Sequence, residues 1–216
     1  RPDILVIRHQ SAGAAALPFY TAGLFIVHLE SEVGWSRTEL TAIGLATTLL
    51  IYTLTIMAAA PQATFDAARP MLEAMGSNLF YLGQKPGQGS AMKIVNQLMA
   101  GANLAVAAEA IAFAERAGVD TKVALELLTG SAAGSWMLKA RGPRMVDYDN
   151  VVTSAVEIFV KDLGLVLDSG RALRMGLPIA AAAHQQYLAA AGMGLGNQDD
   201  SQVVQVYRSL SGKAKT

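Results

Sequence analysis

The longest uninterrupted helical signal in the chain runs from Ser90 to about Ala117. It contains no proline, and at 1.5 Å per residue its roughly 28 residues span about 42 Å. Its middle, Ala100-Gly101-Ala102-Asn103-Leu104-Ala105-Val106-Ala107-Ala108, is small and apolar nearly all round. Such a helix is buried on most sides, and small residues let its partners come close. A fold that contains it must use it as a core helix.

The entry to this helix is Gly87-Gln88-Gly89-Ser90. The glycines give the backbone freedom to turn tightly, and Ser90 can cap the helix. Lys93, Asn96 and Gln97 then fall at i, i+3 and i+4 and project from one face. Helix-start N–H groups favour a bound anion. A cation and two amides aimed there can hold a small carboxylate and act on a neighbouring hydroxyl. On spacing alone, a capped helix with a solvated lysine and surface amides is the favoured reading.

Beyond it, Gly118 closes the helix and Asp120 can cap a short one over Thr121–Leu128. Ser131–Ala140 reads as the next, with Trp136 and Met137 packing inward, and Gly142-Pro143 as a break. Lys161–Met175 carries an apolar stripe at Leu163, Val166, Leu167 and Leu173, with Asp162 as a cap. Gly176 and Pro178 separate it from Ala-rich Ile179–Ala191, where His184 reads as a packed histidine. Gly192, Gly194 and Gly196 read as a flexible loop, and Asp199 and Asp200 suit the start of a last helix.

Upstream, Thr53-Leu54-Thr55-Ile56-Met57 suits a strand. Phe65–Met75 has apolar positions 65, 68, 71, 72 and 75, a helical stripe ending at Gly76. Leu79–Leu82 is a second short strand, which makes a β-α-β piece. Residues 1–52 differ in kind. Ile4–Ile7 can form a strand, but the following Arg8-His9-Gln10-Ser11-Ala12-Gly13-Ala14 lacks the G-x-G-x-x-G turn that grips a dinucleotide. Two uncharged runs follow, Ser11–Val27 and Thr41–Pro61, the second long enough to cross a bilayer as a helix. Gly34-Trp35-Ser36-Arg37 between them resembles the first periplasmic loop of major facilitator transporters. Two readings stand side by side: membrane segments, 11–28 and 41–60, or buried core helices.

Composition narrows the choice of function. Of 216 residues, 52% are hydrophobic and 16% charged, with 17 basic and 17 acidic side chains, against a usual charged share of about 25%. No basic run points to nucleic acid. The absence of cysteine excludes disulfides, thiolate metal sites and a cysteine nucleophile. His9, His28 and His184 lack metal-ligand spacing.

Gly83-x-x-x-Gly87-x-Gly89-x-x-x-Lys93-x-x-Asn96 resembles the signature of the β-hydroxyacid dehydrogenases, the family of 3-hydroxyisobutyrate dehydrogenase. Phe159-Val160-Lys161-Asp162-Leu163 resembles its second cofactor-side motif. Ala132-Ala133-Gly134-Ser135-Trp136-Met137 and Asp199-Asp200-Ser201 are most similar to the L-threonate dehydrogenase branch. The resemblance covers about residues 53–210.

It implies a mainly α fold. An all-α domain over 85–216, like the C-terminal domain of 6-phosphogluconate dehydrogenase, would follow a truncated Rossmann-like remnant over 53–84 and an unmatched apolar segment over 1–52, expected to be helical. It implies NAD or NADP as cofactor, a small hydroxy or sugar acid as substrate, a homo-oligomer and a cytoplasmic location. Lys93 would be the acid/base. A lysine of ordinary pKa, about 10.4, is a poor base at pH 7, and burial that lowers it to about 7–8 would help. Asn96, Gln97 and Ser135 would lie on the substrate side, Lys161 and Gly89 beside the cofactor. Gln97 stands where many members have asparagine, which favours a threonate-type substrate. Without a Gly-rich turn, weak or no activity is expected of the chain alone. The rival reading is a membrane-tethered or fused helical domain without catalysis; a third is a misjoined gene fragment.

Overall fold

In a computed structural model, the structure describes residues 6–7, 25–26 and 55–210. The chain divides into two compact units, 1–93 and 94–216, and the division falls inside one long helix.

In the first unit, β1 (Val6–Ile7) pairs antiparallel with β2 (Phe25–Ile26). β2 lies in the apolar run 11–28, so at this point the run is strand rather than the expected helix; β-branched and aromatic residues favour the extended backbone. The rest of that run, the Gly-Trp-Ser-Arg loop and residues 41–54 lie outside the described residues. β3 (Thr55–Ala58), α1 (Gln62–Met75) and β4 (Asn78–Tyr81) follow, with β3 and β4 parallel and in register Thr55↔Asn78 to Ala58↔Tyr81. The expected β-α-β piece is therefore present, and a helix running from 41 to 60 is excluded at its end. α1 seals one face of the strand pair by burying Phe65, Ala68 and Leu72 against Ile56 and Ala58. The Tyr81 ring lies 4.5 Å from that of Phe65, and its hydroxyl donates to the Ala60 carbonyl at 3.0 Å.

The second unit is all α. α2 (Gln88–Arg116) is the expected long helix. It starts two residues earlier than the sequence suggests, because Gly83 (φ 114°) and Gly87 (φ 93°) make the turn in the left-handed region. Gly89 and Ser90 are thereby inside the first turn, and Ser90 is not the cap. Of the described residues, only α2 is long and apolar enough to cross a membrane, yet 56% of its most apolar window is buried by protein.

α3 (Thr121–Thr129) starts at Asp120, whose carboxylate accepts from the N–H groups of Lys122 and Val123. α4 is Trp136–Val146. Two expectations fail here. Ser135 caps α4 by accepting from the Leu138 N–H at 3.0 Å, so the helix starts at Trp136 rather than Ser131. Gly142-Pro143 does not break it. Pro143 removes only one helical hydrogen bond, and a side chain at Gly142 would come within 2.4 Å of Leu125, so glycine is what lets α3 approach α4.

α5 (Val156–Ala172) and α6 (Pro178–Ala190) pack together through Phe159 and Tyr187, whose rings stack at 5.0 Å. The Tyr187 hydroxyl donates to the Gly101 carbonyl of α2 at 2.8 Å. A Cβ at Gly101 would meet Leu163 of α5 at 2.9 Å. Gly101 is therefore where α5 and α6 close on the central helix. The glycines expected to form a flexible loop instead wind into a wide helical turn, Ala191–Leu195, with Gly194 at φ 83°. A 3₁₀ turn (Asp200–Val203) leads into α7 (Val204–Leu210).

Candidate active site

Lys93, Asn96 and Gln97 stand on the first three turns of α2, with Lys93 one turn before the two amides. Lys93 and Asn96 are half-buried and Gln97 is buried. Lys93 is thus not the fully buried lysine that the sequence reading called for. Asn96 and Gln97 are not solvated surface amides. The Gln97 amide nitrogen donates to the Asp162 carboxylate at 2.5 Å, and the Gln97 amide oxygen accepts from the Asn96 amide at 3.1 Å. Lys161 places its ammonium 3.1 Å from the other Asp162 oxygen. Four side chains from α2 and α5 thus form one polar path, Asn96 to Gln97 to Asp162 to Lys161.

Asp162 holds the path together, and the expectation for it was wrong. α5 begins at Val156, not Lys161, because Ala155 pairs with Asp199 and the Val156 and Glu157 N–H groups donate to the Gln198 and Gly196 carbonyls. Asp162 consequently lies in the second turn, where a side chain has no cap to make. It is 14% exposed, against 64% for Lys161. A nearly buried carboxylate needs partners, and it has them in Gln97 and Lys161. Lys161 is left with most of its length in solvent.

Ser135 stays outside this path: its hydroxyl caps α4. Gly89 is buried in the first turn of α2. His184 is half-buried, with Nε2 2.9 Å from the Val160 carbonyl, the packed histidine expected. Trp136 is 65% exposed rather than packed inward, because the cap at Ser135 turns Met137 and Leu138 to the core instead. Among the described residues, no group of acids and histidines could hold a metal.

A second polar cluster lies at the C-terminal end. Arg141 of α4 donates to Asp200 at 2.8 Å, with both side chains almost wholly buried. The Arg141 guanidinium also stands 5.9 Å from the Trp136 ring. Burial pushes the Asp200 carboxyl up to about 6, even though Arg141 pulls it down. Burial also pushes on neighbouring Asp199, but hydrogen bonds from Thr153 and Ser201 outweigh it and hold that carboxyl below its usual range. Sequence reading found Asp199 and Asp200 as helix-start residues; Asp199 is one, capping the 3₁₀ turn. It missed Arg141, whose partner Asp200 lies 59 residues on and leaves no local signal among the three basic residues of α4.

Residues 87–207 match the family model described as the NAD-binding domain of NADP-dependent 3-hydroxyisobutyrate dehydrogenase. The chain is 40% identical over 158 residues to the L-threonate dehydrogenase of Escherichia coli K12, covering 73% of this chain and 52% of that protein. It is 42% identical over 164 residues to the enzyme of the same name from Cupriavidus necator, covering 75% and 55%. A crystal structure of a 3-hydroxyisobutyrate dehydrogenase from Salmonella typhimurium superposes with a TM-score of 0.68 at 40% identity, covering 80% of this chain and 57% of that one. The chain spans about half the length of the curated relatives it matches.

Proposed function

We propose that this chain, which belongs to the family of NADP-dependent 3-hydroxyisobutyrate dehydrogenase NAD-binding domains, carries the substrate side of an NAD(P)-dependent hydroxyacid dehydrogenase. Its substrate is a small hydroxy or sugar acid of the threonate type, the class named by its 40% identical relatives. One observation carries this reading above all. The two amides one turn after Lys93 are tied through Asp162 to Lys161, so the two motifs singled out in the sequence form one connected polar site.

The roles follow from chemistry. Oxidation of an alcohol removes a hydride from carbon and a proton from oxygen, and the C–O bond becomes C=O. Lys93, as the neutral amine, accepts the hydroxyl proton. Asn96 and Gln97 orient the acid, and held geometry is itself a large catalytic contribution. NAD(P), when bound, takes the hydride. Lys161 and Gly89 would neighbour its nicotinamide end, where a mostly exposed cation fits a polar group approaching from solvent. The residues fit that end only, since the 216 residues hold no G-x-G-x-x-G turn for the pyrophosphate. We therefore expect slow or no turnover from this chain by itself.

The test has two readouts on the purified chain. Calorimetry should detect binding of a sugar acid that Lys93→Ala and Gln97→Ala each weaken, with slow or no hydride transfer to NAD or NADP. Absence of acid binding would overturn the site; turnover as fast as that of a dehydrogenase carrying the Gly-rich turn would overturn the expectation of slow or absent catalysis.

A homo-oligomer fits one further feature. Val95, Met99, Val106 and Phe113 form an exposed apolar line on α2, three of them seven residues apart, beside a groove of about 490 Å³ that includes Tyr207 and Leu210. A second copy covers such a line more readily than water does. Sedimentation of the wild type against Phe113→Glu tests it: an assembly that the charge leaves intact would refute this surface. We place the protein in the cytoplasm, as for a dehydrogenase of small metabolites.

A further inference from the structure

We propose that Asp162 is a specificity-determining positioning residue: it fixes the direction of the Gln97–Asn96 amide pair so that Asn96 ends the path with a hydrogen-bond acceptor, which selects a second, non-reacting hydroxyl on the substrate. The inference rests on the functional reading above and sharpens it.

An ionised carboxylate can only accept. Gln97, facing Asp162 at 2.5 Å, must therefore present its NH₂. Its amide oxygen is then the atom 3.1 Å from Asn96, and two carbonyl oxygens do not face one another, so Asn96 must turn its own NH₂ inward. The amide oxygen of Asn96 is left as the acceptor at the outer end, beside the second hydrogen of its NH₂. A glutamine or asparagine alone is ambiguous between donor and acceptor. A chain of two amides anchored on a carboxylate is not. The ion pair with Lys161 at 3.1 Å holds the anchor in place.

The direction has a consequence for the substrate. A hydroxyl has one hydrogen. The reacting hydroxyl directs its hydrogen to Lys93, so it has none for Asn96. The acceptor on Asn96 is satisfied only by another donor, and on a hydroxy acid that donor is a second hydroxyl next to the reacting one. A substrate with a single hydroxyl leaves the acceptor to water, and losing one such hydrogen bond to the substrate reduces affinity about tenfold, about 1.4 kcal/mol.

The experiment compares two probes on the full chain: 3-hydroxybutyrate, with one hydroxyl, and 2,3-dihydroxybutyrate, with two. Calorimetry gives the affinity ratio, and far-UV ellipticity checks that each variant is folded. The wild type should prefer the dihydroxy acid about tenfold. Asp162→Asn removes the anchor's polarity and should bring the ratio near one while binding persists. Asp162→Asn combined with Asn96→Asp, in which residue 96 can only accept, should restore the preference. A packing role for Asp162 would give no such rescue. Equal affinities in the wild type, or a preference that Asp162→Asn leaves unchanged, overturn this proposal alone. Failure of both acids to bind overturns the site itself as well.

Discussion

Removing Asp200 is the perturbation whose cost the structure determines best. Arg141 and Asp200 lie 2.8 Å apart and are 6% and 1% exposed. At an effective dielectric constant near 20 their attraction is about 6 kcal/mol. Burying each ion costs several kcal/mol. Burial, with the neighbouring Asp199 charge adding to it, still raises the carboxyl to about 6 against the pull of Arg141, so the attraction does not fully offset that cost. The pair therefore adds little net stability, yet losing one member leaves a buried guanidinium with no counter-charge. Asp200→Ala should cost about 3–5 kcal/mol at pH 7. The double variant Arg141→Met/Asp200→Leu should return to within about 1 kcal/mol of wild type, because both desolvation costs vanish with the pair. Urea unfolding followed by far-UV ellipticity measures both. A single variant that costs under about 1 kcal/mol, or a double variant less stable than the single, would refute the reasoning.

Other expectations follow from the same contacts. The Asp200 carboxyl is raised from its ordinary range to about 6, so its contribution to stability is full below pH of about 4 and is lost as pH rises through about 6; two units correspond to about 3 kcal/mol. Asp199 runs the other way, since its lowered pKa gives stability above the unfolded value that is lost on further acidification. Stability measured from pH 7 down to 5 should rise in the wild type relative to Asp200→Asn, and parallel curves would contradict this. Gly101→Ala should destabilise by about 1–3 kcal/mol through overpacking, because its Cβ would meet Leu163 at 2.9 Å, and an unchanged urea midpoint would contradict it. Tyr187→Phe should cost about 1 kcal/mol by losing its bond to the Gly101 carbonyl, read in the same titration.

The long helix, the cap at Asp120 and the β-α-β unit were legible because each depends on local pattern: an unbroken helical run, an acceptor just before N–H groups, alternation and a helical stripe. The start of α5 was not. It is set by the pairing of Ala155 with Asp199 and by carbonyls of residues 196 and 198, some forty residues away in sequence. Misplacing that start disguised Asp162 as a cap. Trp136 was read as packing inward together with Met137, but a serine cap one residue earlier decides the phase of α4 and turns it outward. Gly142-Pro143 reads as a break wherever it stands; only the Leu125 side chain against Gly142 explains why this helix runs through it. In the site, spacing placed Lys93, Asn96 and Gln97 on one face of α2, and only the family resemblance singled them out from a solvated helix face. Their connection to Asp162 and Lys161 required two helices to meet, and no local pattern encodes that.

The most direct test of the central claim is to locate a bound acid by NMR. Labelled chain titrated with a sugar acid should show its largest shifts at Lys93 and at the side-chain amides of Asn96 and Gln97, with smaller ones at Lys161 and Asp162. Shifts that cluster instead in the groove lined by Lys122, Lys139 and Pro143, with the α2 amides unmoved, would contradict the account.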